Sequence, residues 1–299
     1  MPETPRAPGA ALSFERHAPV LAQEAVDALA ILGDGIYVDA TFGRGGHARL
    51  ILDRLGENGR LVAVDRDPQA ILACREIQDP RLVCIHARFS SLREALVEKG
   101  ISRIDGMLFD LGVSSPQLDD PQRGFSFLGP GPLDMRMNPQ DGAPLGDRLS
   151  CLKEEEIADI LFRLGEERLS RKIARALYGA LRKGEIKTTL DLAQVVARAN
   201  PRRERGKHPA TRAFLAFRLW MNEEPQELQK GLEAAESLLP SGGRLAVIAF
   251  HSGEDRMVKH FLRSRLQSFE TLGKTKPSPE ELLANPRARS AIMRLARRR

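Results

Sequence analysis

The chain contains 299 residues, of which 42% are hydrophobic and 29% are charged, and its formal net charge is +6. This composition excludes an intrinsically disordered protein, because enough apolar side chains are present to build a core. No apolar run approaches the ~18 residues that a membrane helix needs, and the N-terminus lacks the pattern of a secretory signal. We therefore expect a cytoplasmic protein with no membrane partner.

The three cysteines, Cys74, Cys84 and Cys151, are widely spaced and form no C-x-x-C pair. This pattern favours neither a disulfide framework nor a zinc site. We expect reduced thiols and no bound metal.

The predicted elements begin with a helix near Leu21–Ala30 and continue as short apolar runs separated by helical segments. Runs typical of buried β-strands are Ile36–Asp39, Arg60–Asp65, Arg81–His86 and Asp105–Asp110. Segments that can form helices between them are His47–Leu55, Gln69–Arg75 and Ser91–Lys99. Strands that alternate with helices predict an α/β fold with a parallel sheet covered on both faces.

This alternation stops after the fourth strand. Residues 114–138 are rich in turn-forming residues, and residues 152–220 have helical spacing, including a helix capped by Thr188 with Asp191 three residues on. The alternation resumes with a helix at Gln226–Leu238, a strand at Arg244–Phe250 and a strand-like run at 289–296. We predict a core formed by residues 1–115 and 221–299, interrupted by a helical inserted domain at residues 116–220.

Positive charge is concentrated in two regions. Residues 151–220 contain 16 Lys and Arg against 9 Asp and Glu, and the last 14 residues contain six arginines and no acid. Such a distribution is typical of a nucleic-acid-binding surface, although a solvated helical face and a basic tail explain it equally well.

A glycine-rich turn follows the first predicted strand. The sequence GRGGHA, residues 43–48, fits the G-x-G-x-x-G/A pattern of nucleoside-binding folds, and Asp65 ends the next strand, where a carboxylate can accept hydrogen bonds from ribose hydroxyls. Glycines also form ordinary tight turns, but the flanking strand, helix and acid favour a nucleoside ligand.

The spacing of the turn separates two classes of ligand. In the NAD fingerprint the first glycine directly follows the strand, whereas here Gly43 lies four residues after Asp39. A longer loop that begins with an acid resembles the first motif of class I methyltransferases. The cationic sulfonium and amino groups of S-adenosylmethionine favour carboxylates, and Asp39 and Asp110 are placed to supply them.

Two further residues are expected at the same edge of the sheet. Asp110 ends the fourth strand, so it should point into the crevice where ligands of open α/β sheets bind. Phe89 follows the third strand, and it either stacks on an adenine or packs on its own domain.

Several long strings, among them TFGRGGHARLIL, DLGVSSPQLD, KHPATR and GGRLAVIAFHSGEDRMVK, resemble the RsmH (MraW) family over about residues 17–298. The resemblance implies a class I methyltransferase (Rossmann-like) sheet and transfer of a methyl group from S-adenosylmethionine to the exocyclic N4 of a cytidine in the decoding region of bacterial 16S rRNA. The implied partner is the assembled small ribosomal subunit. Ala48 and Gly253 depart from the residues that the family usually has at these positions.

Carried over onto matching positions, the resemblance implies a set of cofactor contacts. These residues are Gly45, Gly46, His47, Asp65, Phe89, Asp110 and Gln117. As a hypothesis, Asp110 or a backbone carbonyl within Leu111–Ser115 accepts a hydrogen bond from the target amine, so Asp110 is also the candidate catalytic residue.

Basic residues of the insertion have the chemistry to contact RNA phosphates. The candidates are Arg202, Arg203, Arg205, Lys207, His208, Arg212 and Arg218. His251 and Asp255, which follow the fifth strand, are candidates for lining the base pocket. Structural roles for His208 and His251 stay open, as does a homodimer.

Two other functions are compatible with parts of the sequence. A NAD-linked oxidoreductase would use the same fold, but the spacer before Gly43 argues against it. A non-catalytic RNA-binding assembly factor would be expected to have lost some pocket residues, and here every expected one is present.

Overall fold

The computed structural model describes residues 19–200 and 208–299. Its strands are β1 Ile36–Asp39, β2 Arg60–Asp65, β3 Leu82–His86, β4 Gly106–Asp110, β5 Arg244–Ala249, β6 Phe269–Thr275 and β7 Ile292–Arg298. They form one sheet with the order β3-β2-β1-β4-β5-β7-β6, in which β1 to β5 are parallel and β7 is antiparallel to both β5 and β6.

The helices fall into two groups. Those around the sheet are α1 Ala22–Ala28, α2 Gly46–Leu52, α3 Pro68–Arg75, α4 Leu92–Glu98, α5 Ser115–Asp119, α11 Glu224–Leu238, α12 Ser252–Ser264 and α13 Pro279–Ala284. Those of the insertion are α6 Leu145–Ser150, α7 Glu154–Arg163, α8 Ser170–Arg182, α9 Thr189–Ala199 and α10 Thr211–Asn222. Within the described ranges, no helix is long and apolar enough to cross a bilayer.

The expected α/β fold with a helical insertion is confirmed. The first five strands begin and end within one residue of the predicted bounds, and Thr188 caps α9 as expected, with its Oγ1 accepting from the Asp191 backbone N–H at 3.3 Å. Strand β6 was not predicted, because its side chains are mostly exposed and lack an apolar pattern.

Two apolar layers cover the sheet. One packs α4, α11 and α12 on a face that includes Phe109 and Val247, and the other packs α1, α2 and α3 on a face that includes Tyr37 and Leu108. Because both faces are covered, the parallel strands are apolar throughout, and the polar ends of the strands are left to form a site at the carboxyl edge.

The insertion has a core of its own. Its buried side chains run from Phe125 to Met221 and include Leu161, Ile173 and Phe217. The inserted helices therefore stabilise one another, while α10 leads directly into α11 of the sheet domain.

The expectation of reduced cysteines is wrong for two of the three. Cys74 of α3 and Cys84 of β3 form a disulfide, because α3 packs on the strand that follows it and brings their Cα atoms to 6.1 Å. Sequence spacing alone did not indicate this pair. Cys151 is a free, exposed thiol.

Candidate functional site

A cavity of about 1050 Å³ lies at the carboxyl edge of the sheet. Its walls come from the loops after β1, β2, β4 and β5, from the insertion near Leu164, and from the segment near Arg287. The expected crevice is therefore closed on one side by the inserted helices. Every residue carried over as a cofactor contact except Gly45 lines it.

The glycine turn forms one wall of this cavity. Gly43 and Gly45 have φ angles of +55° and +77°, which a side chain would strain. A Cβ atom on Gly45 would lie 2.7 Å from the Phe42 ring, and one on Gly46 would lie 3.0 Å from Pro19. The turn therefore keeps its conformation and its packing against Phe42 and Pro19 only because these positions are glycine.

Two acids end neighbouring strands beneath the cavity: Asp110 of β4 lines it, and Asp39 of β1 lies buried behind the lining. Asp39 is buried, and one carboxylate oxygen accepts from the Thr41 N–H at 3.1 Å. Thr41 in turn accepts from the Asp110 N–H through its hydroxyl at 2.6 Å. Asp39 Oδ2 and Asp110 Oδ1 are buried and have no hydrogen-bond partner among the described residues.

Burial raises the pKa of both acids. The pKa of Asp39 rises to about 7, because burial disfavours the charged carboxylate and Asp65 adds repulsion. The pKa of Asp110 rises well above its ordinary value, chiefly through burial and further through the charges of Asp39 and Glu254. A positively charged ligand beside these acids would stabilise their ionised forms, so the pair favours a cation.

His47 of α2 completes this part of the floor. Its Nε2 lies 3.0 Å from the Val20 carbonyl oxygen, which can only accept, so Nε2 carries the hydrogen. Burial lowers the pKa of His47 to about 4, and the ring is neutral at pH 7. Its unprotonated Nδ1 faces Asp110 Oδ2 at 3.7 Å, so His47 does not neutralise Asp110.

These observations test whether S-adenosylmethionine fits. The glycine backbone, the cavity volume, and two buried acids with unpartnered oxygens suit a ligand with a nucleoside at one end and cationic groups at the other. The residues present fit this cofactor.

Asp65, at the end of β2, lines another part of the cavity. Its two oxygens accept from the backbone N–H groups of Gly43 and Asp67, each at 2.8 Å. Burial raises its pKa to about 6, although these two hydrogen bonds oppose the shift. Each oxygen keeps a further lone pair, which is the acceptor that a ribose hydroxyl requires.

Phe89 lines the cavity beside this acid. Its ring packs edge-on against Phe109, with centroids 5.1 Å apart. Phe89 therefore packs on its own domain at the cavity wall, and its stacking on an adenine stays a prediction.

Gln117 lies in a buried polar network rather than extending freely into the cavity. Its side-chain N–H₂ donates to Asp67 Oδ2 at 2.8 Å, and its oxygen accepts from the Ser114 N–H at 2.9 Å. Arg123 binds the same Asp67 oxygen at 2.8 Å and also donates to the Met137 carbonyl at 2.7 Å. This network ties the insertion to the loop that carries Asp65.

A second charged network lies below the loop after β5. Glu254 accepts from the Phe250 N–H at 2.8 Å, and one of its oxygens lies 3.1 Å from His251 Nε2. Burial raises the pKa of Glu254, but contacts with His251 and Arg218 outweigh that effect and lower it overall. His251 lines the cavity and caps α12, so it has a structural role there.

One substrate candidate is found in an ion pair and another is corrected. Arg218 is largely buried at the cavity wall and donates to both oxygens of Glu224 at 2.9 Å, which joins α10 to α11, and its contact with RNA stays a prediction. Asp255 accepts two hydrogen bonds from Arg294 of β7, at 2.7 and 3.0 Å, and does not line the cavity. Both charges are used inside the fold.

The remaining RNA candidates divide in two. Arg212 donates to the Glu166 carbonyl at 2.8 Å from an exposed position at the start of α10, and His208 packs on the Phe127 ring with centroids 4.8 Å apart. The other candidates lie outside the described residues, and they are Arg202, Arg203, Arg205 and Lys207.

Sequence reasoning missed the partners that hold the site together. Arg123 and Glu224 are separated from their partners by turns or helices, so no local pattern pointed to them. Only Glu254 carried a signal, since it stands in HSGEDR directly after the fifth strand.

Comparison with known proteins identifies a family. A model described as the MraW methylase family matches residues 14–299 of this chain.

Solved structures are similar at low identity. A candidate rRNA methylase from Clostridium thermocellum is 15% identical over 94% of this chain and 98% of its own, with a TM-score of 0.47. An rRNA methylase from Streptococcus thermophilus is 12% identical over 92% and 94%, with a TM-score of 0.45. A candidate methyltransferase from Streptococcus mutans, solved in complex with SAH, is 13% identical over 93% and 97%, with a TM-score of 0.45. At such values we draw no conclusion from these structures.

Proposed function

The chain belongs to the MraW methylase family, and from this premise we propose that it methylates the exocyclic N4 of a cytidine in the decoding region of bacterial 16S rRNA. It is a methyltransferase, its cofactor is S-adenosylmethionine, and its sheet has the class I methyltransferase order. The N4 position and the decoding region come from the resemblance of its long sequence strings to the family.

One structural observation supports methyl transfer most directly. Asp110 lines the cavity with an unpartnered buried oxygen, and Asp39, which also has an unpartnered oxygen, lies buried behind it at the same edge of the sheet. A dinucleotide would instead place its negatively charged pyrophosphate at the glycine turn beside these acids, so they favour the methyltransferase over the NAD-linked alternative.

The chain's own residues have three tasks in this reaction. When bound, the cofactor supplies a methyl group already activated by its sulfonium. Gly46, Asp65 and Phe89 would hold the nucleoside end, and Asp110, with Asp39 behind it, would hold the cationic end. The third task is to orient the target amine, because its lone pair is delocalised into the cytosine ring and must be aligned with the methyl carbon.

Balance of atoms and charge defines what the amine requires. The N4 nitrogen would gain the methyl carbon in exchange for one of its protons, which would pass to solvent, and the cofactor would leave as a neutral thioether. An acceptor for an N–H of the amine lowers the cost of this step. Asp110, or a carbonyl within Leu111–Ser115, is that acceptor in our proposal.

The Asp110→Asn variant separates two roles for this residue. If Asp110 only holds the cofactor, the variant keeps its turnover once the cofactor is saturating. If Asp110 also orients the amine, turnover at saturation falls. A cofactor-binding role alone would then be excluded.

The substrate is proposed to be the assembled small subunit, contacted through the basic part of the insertion. Arg212 is the described member of this set, and Arg202, Arg203, Arg205 and Lys207 belong to the same proposal. Removing the arginines at 202, 203 and 205 should weaken RNA binding and flatten its dependence on salt. An unchanged salt slope would remove these residues from the interface.

A labelled-methyl assay tests the choice of substrate. Small subunits from cells that lack this protein, the corresponding naked 16S rRNA and large subunits are each incubated with labelled S-adenosylmethionine. We expect label in small subunits and much less in the other two. Tight cofactor binding with no label in any of them would favour the assembly-factor alternative.

A further inference from the structure

A second cavity, of about 340 Å³, lies beside the cofactor cavity and has a different chemistry. Four arginines reach it from four separate segments, and we call it the arginine pocket: Arg66 follows β2, Arg88 follows β3, Arg136 precedes α6 and Arg148 lies in α6. Arg66 also lines the cofactor cavity, so the two cavities share a wall.

Acidic residues lie among the arginines of this pocket. Asp141 Oδ2 lies 2.8 Å from Arg88 and 3.4 Å from Arg66, and Glu223 contacts Arg88 at 3.5 Å. Arg136 is paired with Asp134, which lies behind it, at 2.7 Å. Glu227 acts on Arg88 and Asp147 acts on Arg136 as well, so the case for a ligand depends on which guanidinium donors stay unused.

Two of the guanidinium groups keep donors for a ligand. Arg148 stacks over the Trp220 ring at 4.1 Å and reaches the Met221 carbonyl only at 3.4 Å, and within the described ranges no carboxylate pairs with it. Arg66 Nε is buried and has no hydrogen-bond partner among the described residues, although its Nη1 donates to the Asn222 carbonyl at 2.7 Å. Unsatisfied buried donors are rare and mark a place for an acceptor.

The chemistry of these groups selects a phosphate. Guanidinium forks match phosphate oxygens in pairs, and they do so better than a point charge can. A phosphodiester carries a single negative charge, so beside these carboxylates it is repelled less than a phosphate dianion. A phosphodiester is the repeating group of a nucleic-acid backbone.

We propose that the arginine pocket binds a phosphodiester group of the RNA substrate, an inference that rests on RNA being the substrate. In this role the pocket anchors the RNA strand next to the ribose side of the cofactor cavity. Asp141 then acts as an internal competitor, because its carboxylate contacts the same guanidinium groups that the phosphate would contact.

The first test removes a donor. Arg148→Gln is compared with Arg75→Gln, whose exposed side chain ends α3 at the opposite edge of the sheet. Binding of a fluorescent cytidine 12-mer RNA is measured by anisotropy over a series of NaCl concentrations. We expect Arg148→Gln to weaken binding by about tenfold at low salt and to reduce the slope of log Kd against log[NaCl] by about 0.7, with no change for the control.

The second test removes the competitor. Asp141→Asn takes away one negative charge, so binding of the same RNA should become tighter and its salt slope steeper. A residue that merely supports the fold would weaken binding when replaced, so the opposite signs of the two variants separate the proposal from a structural role. Melting temperature and cofactor affinity are recorded for both variants.

The outcomes distinguish this inference from the proposed function. If the unaltered protein binds the RNA but both variants match the Arg75→Gln control, the arginine pocket is not an RNA contact and the proposed function stands. If the unaltered protein binds no RNA and methylates no subunit, the proposed function fails first. Binding of inorganic phosphate that Arg148→Gln abolishes, with RNA binding unaffected by either the phosphate or the variant, would instead indicate a pocket for a free anion and overturn the RNA assignment.

Discussion

Replacing Asp110 by Asn tests whether the two acids at the cavity floor hold the cationic end of the cofactor. The substitution keeps the size of the side chain and removes its charge. Asn can donate to the unprotonated Nδ1 of His47, which lies 3.7 Å from the Asp110 carboxylate, so the fold should tolerate it.

The expected loss of affinity follows from the burial of this pair. Two unit charges about 4 Å apart interact by about 4 kcal/mol at an effective dielectric constant of 20, and removing one member of a buried pair typically costs about 2–5 kcal/mol. Asp39 remains and retains part of the attraction. We therefore expect a loss of about 3 kcal/mol, which corresponds to a Kd about 150-fold weaker.

The pH dependence gives a second, independent signature. The pKa of Asp110 is raised in the free protein, so below that pKa the carboxyl must release a proton when a cation binds. Affinity of the unaltered protein should fall as pH falls from about 7 to about 5.5, a range in which an α-amino group stays protonated. The Asp110→Asn variant should show a shallower fall, which comes from Asp39 with its pKa of about 7.

Isothermal titration of S-adenosylmethionine in two buffers of different ionisation enthalpy measures both quantities, the Kd and the number of protons released. Asp159→Asn, an exposed change on α7, serves as the control. If Asp110→Asn binds as tightly as the unaltered protein and releases the same number of protons, Asp110 does not hold the cation and the reasoning is refuted.

Three further predictions concern the supports of the site. Arg123→Met should cost about 3–5 kcal/mol of unfolding free energy in urea, because Asp67 is left buried and unpaired. If the losses of Arg123→Met and Asp67→Asn simply add up in the double variant, the two residues do not form a coupled pair. With Cys74 and Cys84 bonded across ten residues, denatured protein without reductant should titrate one thiol, and reduction should cost about 2–3 kcal/mol; three thiols would disprove the bond. Since the folded pKa of His47 is about 4 and its ordinary value is 6.5, the unfolded chain binds the extra proton between these values, so stability is lost as pH falls through this window. The stability advantage of the unaltered protein over His47→Gln should shrink by about 3 kcal/mol from pH 6.5 to pH 4, and a constant difference would show that the ring stays solvated.

The parallel part of the sheet could be predicted from the sequence because its strands are apolar on both faces and are punctuated by helices. Strand β6 could not, since it pairs antiparallel with β7 near the edge and its side chains are mostly exposed. No local feature of the β6 sequence indicates that pairing.

The same contrast holds for the site. Asp65 and Asp110 could be predicted at the cavity because strand ends meet at the carboxyl edge of any sheet of this type, and both line it. Gly45 is predicted with them but does not line the cavity. The pairing of Asp67 with Arg123 crosses 56 residues and depends on how the insertion docks. The charge of Arg218 is visible in the sequence, whereas its pairing with Glu224 is not.

The identity of the methylated nucleoside tests the central claim most directly. Small subunits from cells that lack this protein are incubated with the protein and labelled S-adenosylmethionine, and the rRNA is digested and separated into nucleosides. We predict that the label co-migrates with N4-methylcytidine and maps to the decoding region. Label in a different nucleoside, or in N4-methylcytidine from another region of the rRNA, would contradict the account.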